Sequence, residues 1–166
     1  MSDVNTQRFI SFEGIDFSGK STQISLLKEY LESRGFQVYV LREPGGTEIS
    51  ERIRQILLDK NHSEMSDWTE IFLYSAARAQ LVQQKIIPLL TEGYFIIADR
   101  YVDSTTAYQG YGRGIGLKMV TAINQAATSG VMPSVTFLMD IDPASAYLRR
   151  QSGARSTDRL EEAGRE

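Results

Sequence analysis

Residues 14–21 read Gly14-Ile15-Asp16-Phe17-Ser18-Gly19-Lys20-Ser21. This G-x-x-x-x-G-K-S pattern constrains the fold more than any other segment, because it functions only between a strand and a helix. Its glycines let successive backbone N–H groups curl around a phosphate, and the following helix points its positive end at the same spot. Lys20 reaches the terminal phosphates, and Ser21 offers its hydroxyl to Mg²⁺. The context is the required one. The apolar run Phe9-Ile10-Ser11-Phe12 precedes the loop, and a helix-periodic run follows it. A nucleoside triphosphate is the ligand this motif predicts.

Four short apolar runs read as strands: Arg8–Glu13, Gln37–Leu41, Tyr94–Ala98 and Ser134–Met139. They are nearly continuous rather than alternating, as parallel strands covered on both faces should be. Helical periodicity fills the intervals. Ile24, Leu27 and Leu31 form one stripe, closed by Arg34-Gly35. Ile49, Ile53, Ile56 and Leu57 form a second, opened by Thr47. A long helix is expected from Asp67 to Glu92, with Ser66 as its cap, Trp68 as a packing anchor, Gly93 at its end and a kink or break at Pro88. Val120, Ile123 and Ala127 mark another, ended by Gly130.

Alternating strands and helices predict an α/β fold, a three-layer sandwich around a parallel sheet. The 166 residues, 42% hydrophobic, suit a single domain over 1–166 with a real core. Net charge is −3, which argues against nucleic acid or an anionic membrane as partner. No apolar stretch approaches the ~20 residues a membrane span needs. The absence of cysteine excludes disulfides and thiolate metal sites, and fits the cytoplasm.

Every predicted strand ends in charge: Glu13, then Arg42-Glu43, then Asp99-Arg100, then Asp140 and Asp142. Parallel strands gather these tips on one edge, where open α/β sheets bind ligands. Arg42 and Arg100 are placed there to grip a second anion, or else to brace loops through carboxylates. Tyr74 and Arg78, four apart, share a helix face. They suit a flat base, stacked on one side and hydrogen-bonded at its edge; a local cation–π contact or core packing reads equally well. Tyr108-Gln109-Gly110-Tyr111-Gly112-Arg113-Gly114-Ile115-Gly116 is either a loop that wraps a ligand or a mobile connector. Arg149, Arg150, Arg155 and Arg159 form a basic flap over a phosphoryl-transfer site, or a solvated helix face paired with Asp158, Glu161 and Glu162. His62 reads as a surface loop residue.

These blocks together resemble the thymidylate kinases, nucleoside-monophosphate kinases of the P-loop class. The markers are Phe12-Glu13-Gly14-Ile15-Asp16, the P-loop, Arg42-Glu43-Pro44-Gly45-Gly46, Tyr74-Ser75-Ala76-Ala77-Arg78, Asp99-Arg100-Tyr101, Ala107-Tyr108-Gln109-Gly110 and Asp158-Arg159-Leu160-Glu161. The resemblance implies strand order 2-3-1-4, ATP and Mg²⁺ as cofactors, dTMP as acceptor and a homodimer. Gly14, Ile15, Asp16, Phe17, Ser18, Gly19, Lys20, Ser21 and Thr22 would cradle ATP, with Arg149 near its adenine. Asp16 would hold the acceptor's 3′-hydroxyl. Arg42 and Arg100 would grip its phosphate, with Ser104 beside them. Tyr74 would stack on thymine, and Arg78 would bond its edge with Gln109 nearby. Tyr108 would crowd the 2′ position. Asp99 and Ser21 would work at the metal, and Arg155 and Arg159 would belong to a lid over 149–160, Arg155 catalytically. Phe17 stands where the eukaryotic type carries Arg, which makes this the bacterial type. The family normally continues with a last strand and helices, so a C-terminal truncation and an uncovered fourth strand are expected.

Two other activities compete at this stage. One is a kinase for another nucleoside monophosphate or for a nucleoside. The other is a nucleotide-driven switch without an acceptor, which would call for a guanine-reading Asn-Lys-x-Asp segment that the chain lacks.

Overall fold

The computed structural model describes residues 4–151. Four strands form one parallel sheet: β1 (Phe9–Glu13), β2 (Val38–Arg42), β3 (Phe95–Asp99) and β4 (Val135–Leu138), in the order β2-β3-β1-β4. This is the architecture and order expected from the sequence, and each strand lies within a residue of its predicted bounds. β1 sits between β3 and β4, with Ile10 level with Ile97 and Val135. β2 pairs with β3 from Val38↔Phe95 to Arg42↔Asp99. A polar contact joins β1 to β4 within the apolar sheet, Ser11 Oγ lying 2.8 Å from Thr136 Oγ1.

Side chains alternate between two cores, as the strand's two-residue period dictates. On one face Phe9, Leu41, Ile96 and Ala98 pack with Leu81, Val82, Ile86, Leu90 and Tyr101. On the other, Phe12 and Ile97 pack with Ile24 and Leu31 of α1 (Lys20–Ser33). Helices therefore cover both faces, and the sheet's C-terminal tips remain at one rim. β4 is exposed along its length among the described residues, with Leu138 at 70% exposure.

The remaining helices follow local chemistry. α2 (Glu48–Leu58) is capped by Thr47, whose hydroxyl accepts the Ser50 N–H at 3.1 Å. α3 (Asp67–Leu81) is capped in the same way by Ser66. α3 then opens into a π turn over Val82–Ile86 before α4 (Ile87–Thr91). Pro88 accounts for this: it has no N–H, and its ring crowds the carbonyl four residues back, so the backbone widens into a π turn just upstream. The Ile87 N–H bonds the Val82 carbonyl, five residues back. α5 (Val102–Thr105) leaves the tip of β3. α6 (Leu117–Thr128) ends at Ser129 and Gly130, both left-handed. α7 is Pro143–Gln151.

One expectation is corrected here. The glycine-rich segment from Tyr108 begins within ordered helix: α5 passes directly into a π turn over Thr106–Gly112. Its glycines serve packing. A Cβ on Gly110 would stand 3.0 Å from Leu117 Cδ2, so the missing side chain lets α6 approach. The helix is pinned to α3 by Glu70, 1% exposed, which accepts Gln109 Nε2 at 2.8 Å and both Nε and Nη2 of Arg113 at 3.2 Å.

Candidate active site

The rim of the sheet opens into a cleft of 970 Å³ lined by the P-loop, the tips of β2 and β3, α2, α3, α5, the π turn after α5, and α7. At its floor Gly19 takes φ +100 as the residue before α1, a conformation natural only to glycine. This turns the helix's first N–H groups toward the cleft. Gly14 serves a different purpose. A Cβ there would meet the Met139 carbonyl at 2.7 Å, so this glycine clears the chain as it leaves β4. Phe17 also stands at positive φ, +62.

Lys20 is only 6% exposed. Its ammonium donates to the carbonyls of Gly14 and Ile15, each at 2.9 Å. Burial and the charge of Arg100 push its pKa below the usual lysine range, against the opposing pull of Asp99, Asp16 and Glu13. Two cations that close favour an anion between them. Arg100 itself sits at φ +72, an uncommon backbone for a residue with a side chain. Its Nη2 donates to Asp16 Oδ1 at 2.7 Å and its Nη1 to Ser104 Oγ at 3.2 Å, while its guanidinium lies 5.6 Å from the Tyr108 ring. Arg149 donates to the Phe17 carbonyl at 3.3 Å, which places it over the phosphate loop. Arg42 is exposed and pairs loosely with Glu51 at 3.8 Å.

The cleft wall is strongly cationic. Lys20, Arg42, Arg54, Arg78, Arg100 and Arg149 line it, against the carboxylates Asp16, Glu43 and Asp99. A chain of net negative charge has concentrated its positive charge where polyanions would sit.

Most sequence-predicted residues meet here. Asp16, Phe17, Gly19, Lys20, Ser21, Thr22, Arg42, Tyr74, Asp99, Arg100, Ser104, Tyr108 and Arg149 all border the cleft. Gly14, Ile15 and Ser18 shape the loop from behind. Arg155 and most of the 149–160 lid lie outside the described residues. Two residues border the cleft under commitments the sequence did not disclose. Arg78 is 2% exposed, and each of its nitrogens is engaged: Nε with Glu43 at 2.7 Å, Nη1 with Thr105 and Asn124 at 3.0 Å, and Nη2 with the Tyr101 carbonyl at 3.1 Å and Glu43 at 2.6 Å. Gln109 is 2% exposed and turns its amide nitrogen to Glu70.

Four residues that shape the site had no role assigned from the sequence, although Glu13 and Glu43 were placed on the ligand edge as strand-tip charges. Arg54 and Leu58 reach the cleft from α2, Arg54 also donating to the Pro44 carbonyl at 2.9 Å. The apolar stripe Ile49, Ile53, Ile56 and Leu57 located the helix but said nothing of what Arg54 meets. Glu13 and Glu43, at the tips of β1 and β2, are 4% and 5% exposed. Burial pushes both carboxyls above the ordinary glutamate range, in Glu43 despite the neighbouring Arg78 charge. A charged residue ending an apolar strand was the available signal, but it does not distinguish an outward tip from a buried one.

For a divalent cation, Ser21 and Asp99 supply one hydroxyl and one carboxylate on the same wall. Among the described residues no cluster of three or more His, Cys, Asp or Glu could hold a metal. A site with so few protein oxygens fits Mg²⁺, which is commonly held by one or two carboxylates plus phosphates and water.

The comparisons with known proteins agree with this geometry. The thymidylate kinase family model matches residues 12–165. A thymidylate kinase of Thermoanaerobacter sp. (strain X514) is 53% identical over 154 residues, covering 93% of this chain and 74% of the relative. One from Pelotomaculum thermopropionicum is 48% identical over 159 residues, with 96% and 74% covered. The crystal structure of thymidylate kinase from Ehrlichia chaffeensis superposes with a TM-score of 0.73 at 35% identity, over 94% of this chain and 83% of that one. Joined to a phosphate loop and several arginines lining one cleft, these matches place the chain in the thymidylate kinase family.

Proposed function

We propose that the chain transfers the γ-phosphoryl group of ATP to dTMP, giving ADP and dTDP. The observation that supports this reading is that Lys20, Arg100 and Tyr74 line one cleft, where we assign Lys20 to the donor's phosphates and Arg100 to the acceptor's. The P-loop and the N-terminus of α1 receive the ATP phosphates, and Arg149 covers them. Arg100 and Arg42 hold the acceptor phosphate, with Ser104 of α5 beside Arg100. Asp16 meets the sugar's 3′-hydroxyl, Tyr74 stacks on the base, and Tyr108 crowds the 2′ side. Arg78 and Gln109 present a fixed polar wall to the base's edge.

The acceptor phosphate has a second pKa of about 6 and is already ionised near neutrality. No strong general base is needed. What the site must do is hold two polyanions in line and stabilise the charge that spreads over the transferred group. Lys20 and Arg100, preorganised by the loop carbonyls and by Asp16, do this electrostatically. Mg²⁺ held at Ser21 and Asp99 would neutralise phosphate charge. Arg155, outside the described residues, would add further positive charge. We also propose a homodimer in the cytoplasm. It is supported by exposed apolar residues on the neighbouring helices α3 (Trp68, Phe72) and α6 (Leu117, Met119). For the described residues, no helix is long and apolar enough to cross a membrane.

The test is a coupled ADP-release assay with ATP and Mg²⁺ across dTMP, dUMP, dCMP, TMP and thymidine. ADP release driven by dTMP above the others is expected, and its loss on chelation of the metal. Turnover with another acceptor but none with dTMP would refute the substrate assignment. Slow hydrolysis indifferent to every acceptor would favour a nucleotide switch.

A further inference from the structure

One buried carboxylate touches both ends of Arg100's conformation without touching Arg100. Glu13 ends β1 and is 4% exposed. Its Oε1 accepts the backbone N–H of Tyr101 at 2.7 Å. Its Oε2 accepts the hydroxyl proton of Ser104 at 2.6 Å. Tyr101 is the residue after Arg100, and Arg100 occupies the left-handed region at φ +72. The N–H of Arg100 is taken by the Phe12 carbonyl at 2.9 Å. The two peptide N–H groups flanking the strained residue are therefore held by neighbouring residues of β1, one by its backbone and one by its carboxylate.

The second contact works on the side chain. A carboxylate only accepts, so Ser104 must give its proton to Glu13. That leaves the Ser104 oxygen's lone pairs facing Arg100 Nη1, 3.2 Å away. The guanidinium can only donate, so Ser104 must accept from it; by taking the Ser104 proton Glu13 keeps that oxygen turned to Arg100, and Asp16 fixes the fork's other arm.

We propose that Glu13 is a positioning residue for Arg100. It holds the backbone at the tip of β3 in its left-handed turn and polarises Ser104 so that the guanidinium points at the acceptor phosphate. This rests on the reading of Arg100 as the group that grips that phosphate. Glutamine in its place keeps the volume but not the polarity. Its amide nitrogen must face either the Tyr101 N–H or the Ser104 hydroxyl, and in the second case it turns the hydroxyl proton toward a cation.

A double-mutant cycle separates positioning from general structural support. Glu13→Gln, Arg100→Ala and the double variant are compared with the starting protein for kcat/KM toward dTMP and for KM toward ATP. Glu13→Gln is expected to lower kcat/KM for dTMP at least tenfold in the Arg100 protein and less than threefold once Arg100 is alanine. The KM for ATP should stay within twofold. An equal loss in both backgrounds, or no loss in either, would overturn the proposal while leaving the role of Arg100 standing. Full activity in Arg100→Ala would instead remove the reading of Arg100, and the proposal with it. If Glu13→Gln does not fold, Ser104→Ala carries the test: its loss too must shrink below threefold in the Arg100→Ala background, and an undiminished loss there overturns the proposal.

Discussion

Two arginines border the same cleft and hold carboxylates at nearly the same distance, yet their surroundings assign them opposite jobs. Arg78 meets Glu43 at 2.6 Å with both side chains almost wholly buried. Arg100 meets Asp16 at 2.7 Å with Asp16 half exposed. The first pair is knotted to Thr105, Asn124 and the Tyr101 backbone, and so ties β2, α3, α5 and α6 together. In the second, Asp16 stays open to water, which suits the exchange of partner for a phosphate that we propose for Arg100. Desolvation separates an arginine locked into the fold from one whose carboxylate partner stays open to water.

The sharpest way to break this contrast is Arg78→Ala, which leaves Glu43 in the core without its cationic partner. A loss of about 3–5 kcal/mol is expected, read as a fall in Tm of about 10 °C. A Tm shift of only a degree or two would show that the buried knot is dispensable. Arg100→Ala should do the reverse. Stability should change by less than about 1 kcal/mol, while kcat/KM falls about 10²–10³-fold, or about 3–4 kcal/mol of transition-state stabilisation. Differential scanning fluorimetry beside the ADP-release assay reads both quantities on the same samples. A smaller effect comes from Tyr74→Ala. The loss of base stacking is worth about 1–3 kcal/mol, so the KM for dTMP should rise about tenfold, whereas Tyr74→Phe keeps the ring and the affinity. The least effect belongs to Arg52→Ala. Arg52 meets Glu48 at 2.6 Å, as close as the buried pair, but both side chains are about three-quarters exposed. Its removal should cost no more than about 0.5 kcal/mol. If it cost as much as Arg78→Ala, distance rather than burial would be the controlling variable.

The fold was largely legible because parallel strands carry their burial in plain view. Four continuous apolar runs, a phosphate loop and capping residues at Thr47 and Ser66 located the sheet and most helices to within a residue or two. Pro88 announced a break that the backbone resolves as a π turn. The lining of the cleft was legible wherever a residue type carries its own chemistry, as at Lys20, Arg42 and Arg100, all of which border it. It was not legible where the outcome depends on what arrives from elsewhere in the chain. The spacing of Tyr74 and Arg78 showed a common face but not that Glu43, 35 residues away, and Asn124, 46 residues away, would occupy the guanidinium. Glycines at 110, 112, 114 and 116 suggested a free loop. Only the approach of α6 against Gly110 and the Glu70–Arg113 pair make the segment before Arg113 helical.

The clearance at Gly14 has a consequence for how this loop should be interrogated. The glycine that opens the motif is required by the departing end of the fourth strand as much as by any phosphate. A bulkier residue there would push the backbone around Met139 aside before a nucleotide entered the cleft. Inactivity in a Gly14 variant would therefore say little about nucleotide binding. Gly19 fails as a probe for a different reason: an added methyl would meet nothing nearer than the tip of Arg149 at 3.9 Å, but at φ +100 any side chain strains the backbone, so a loss there too would report the loop's shape before its ligand.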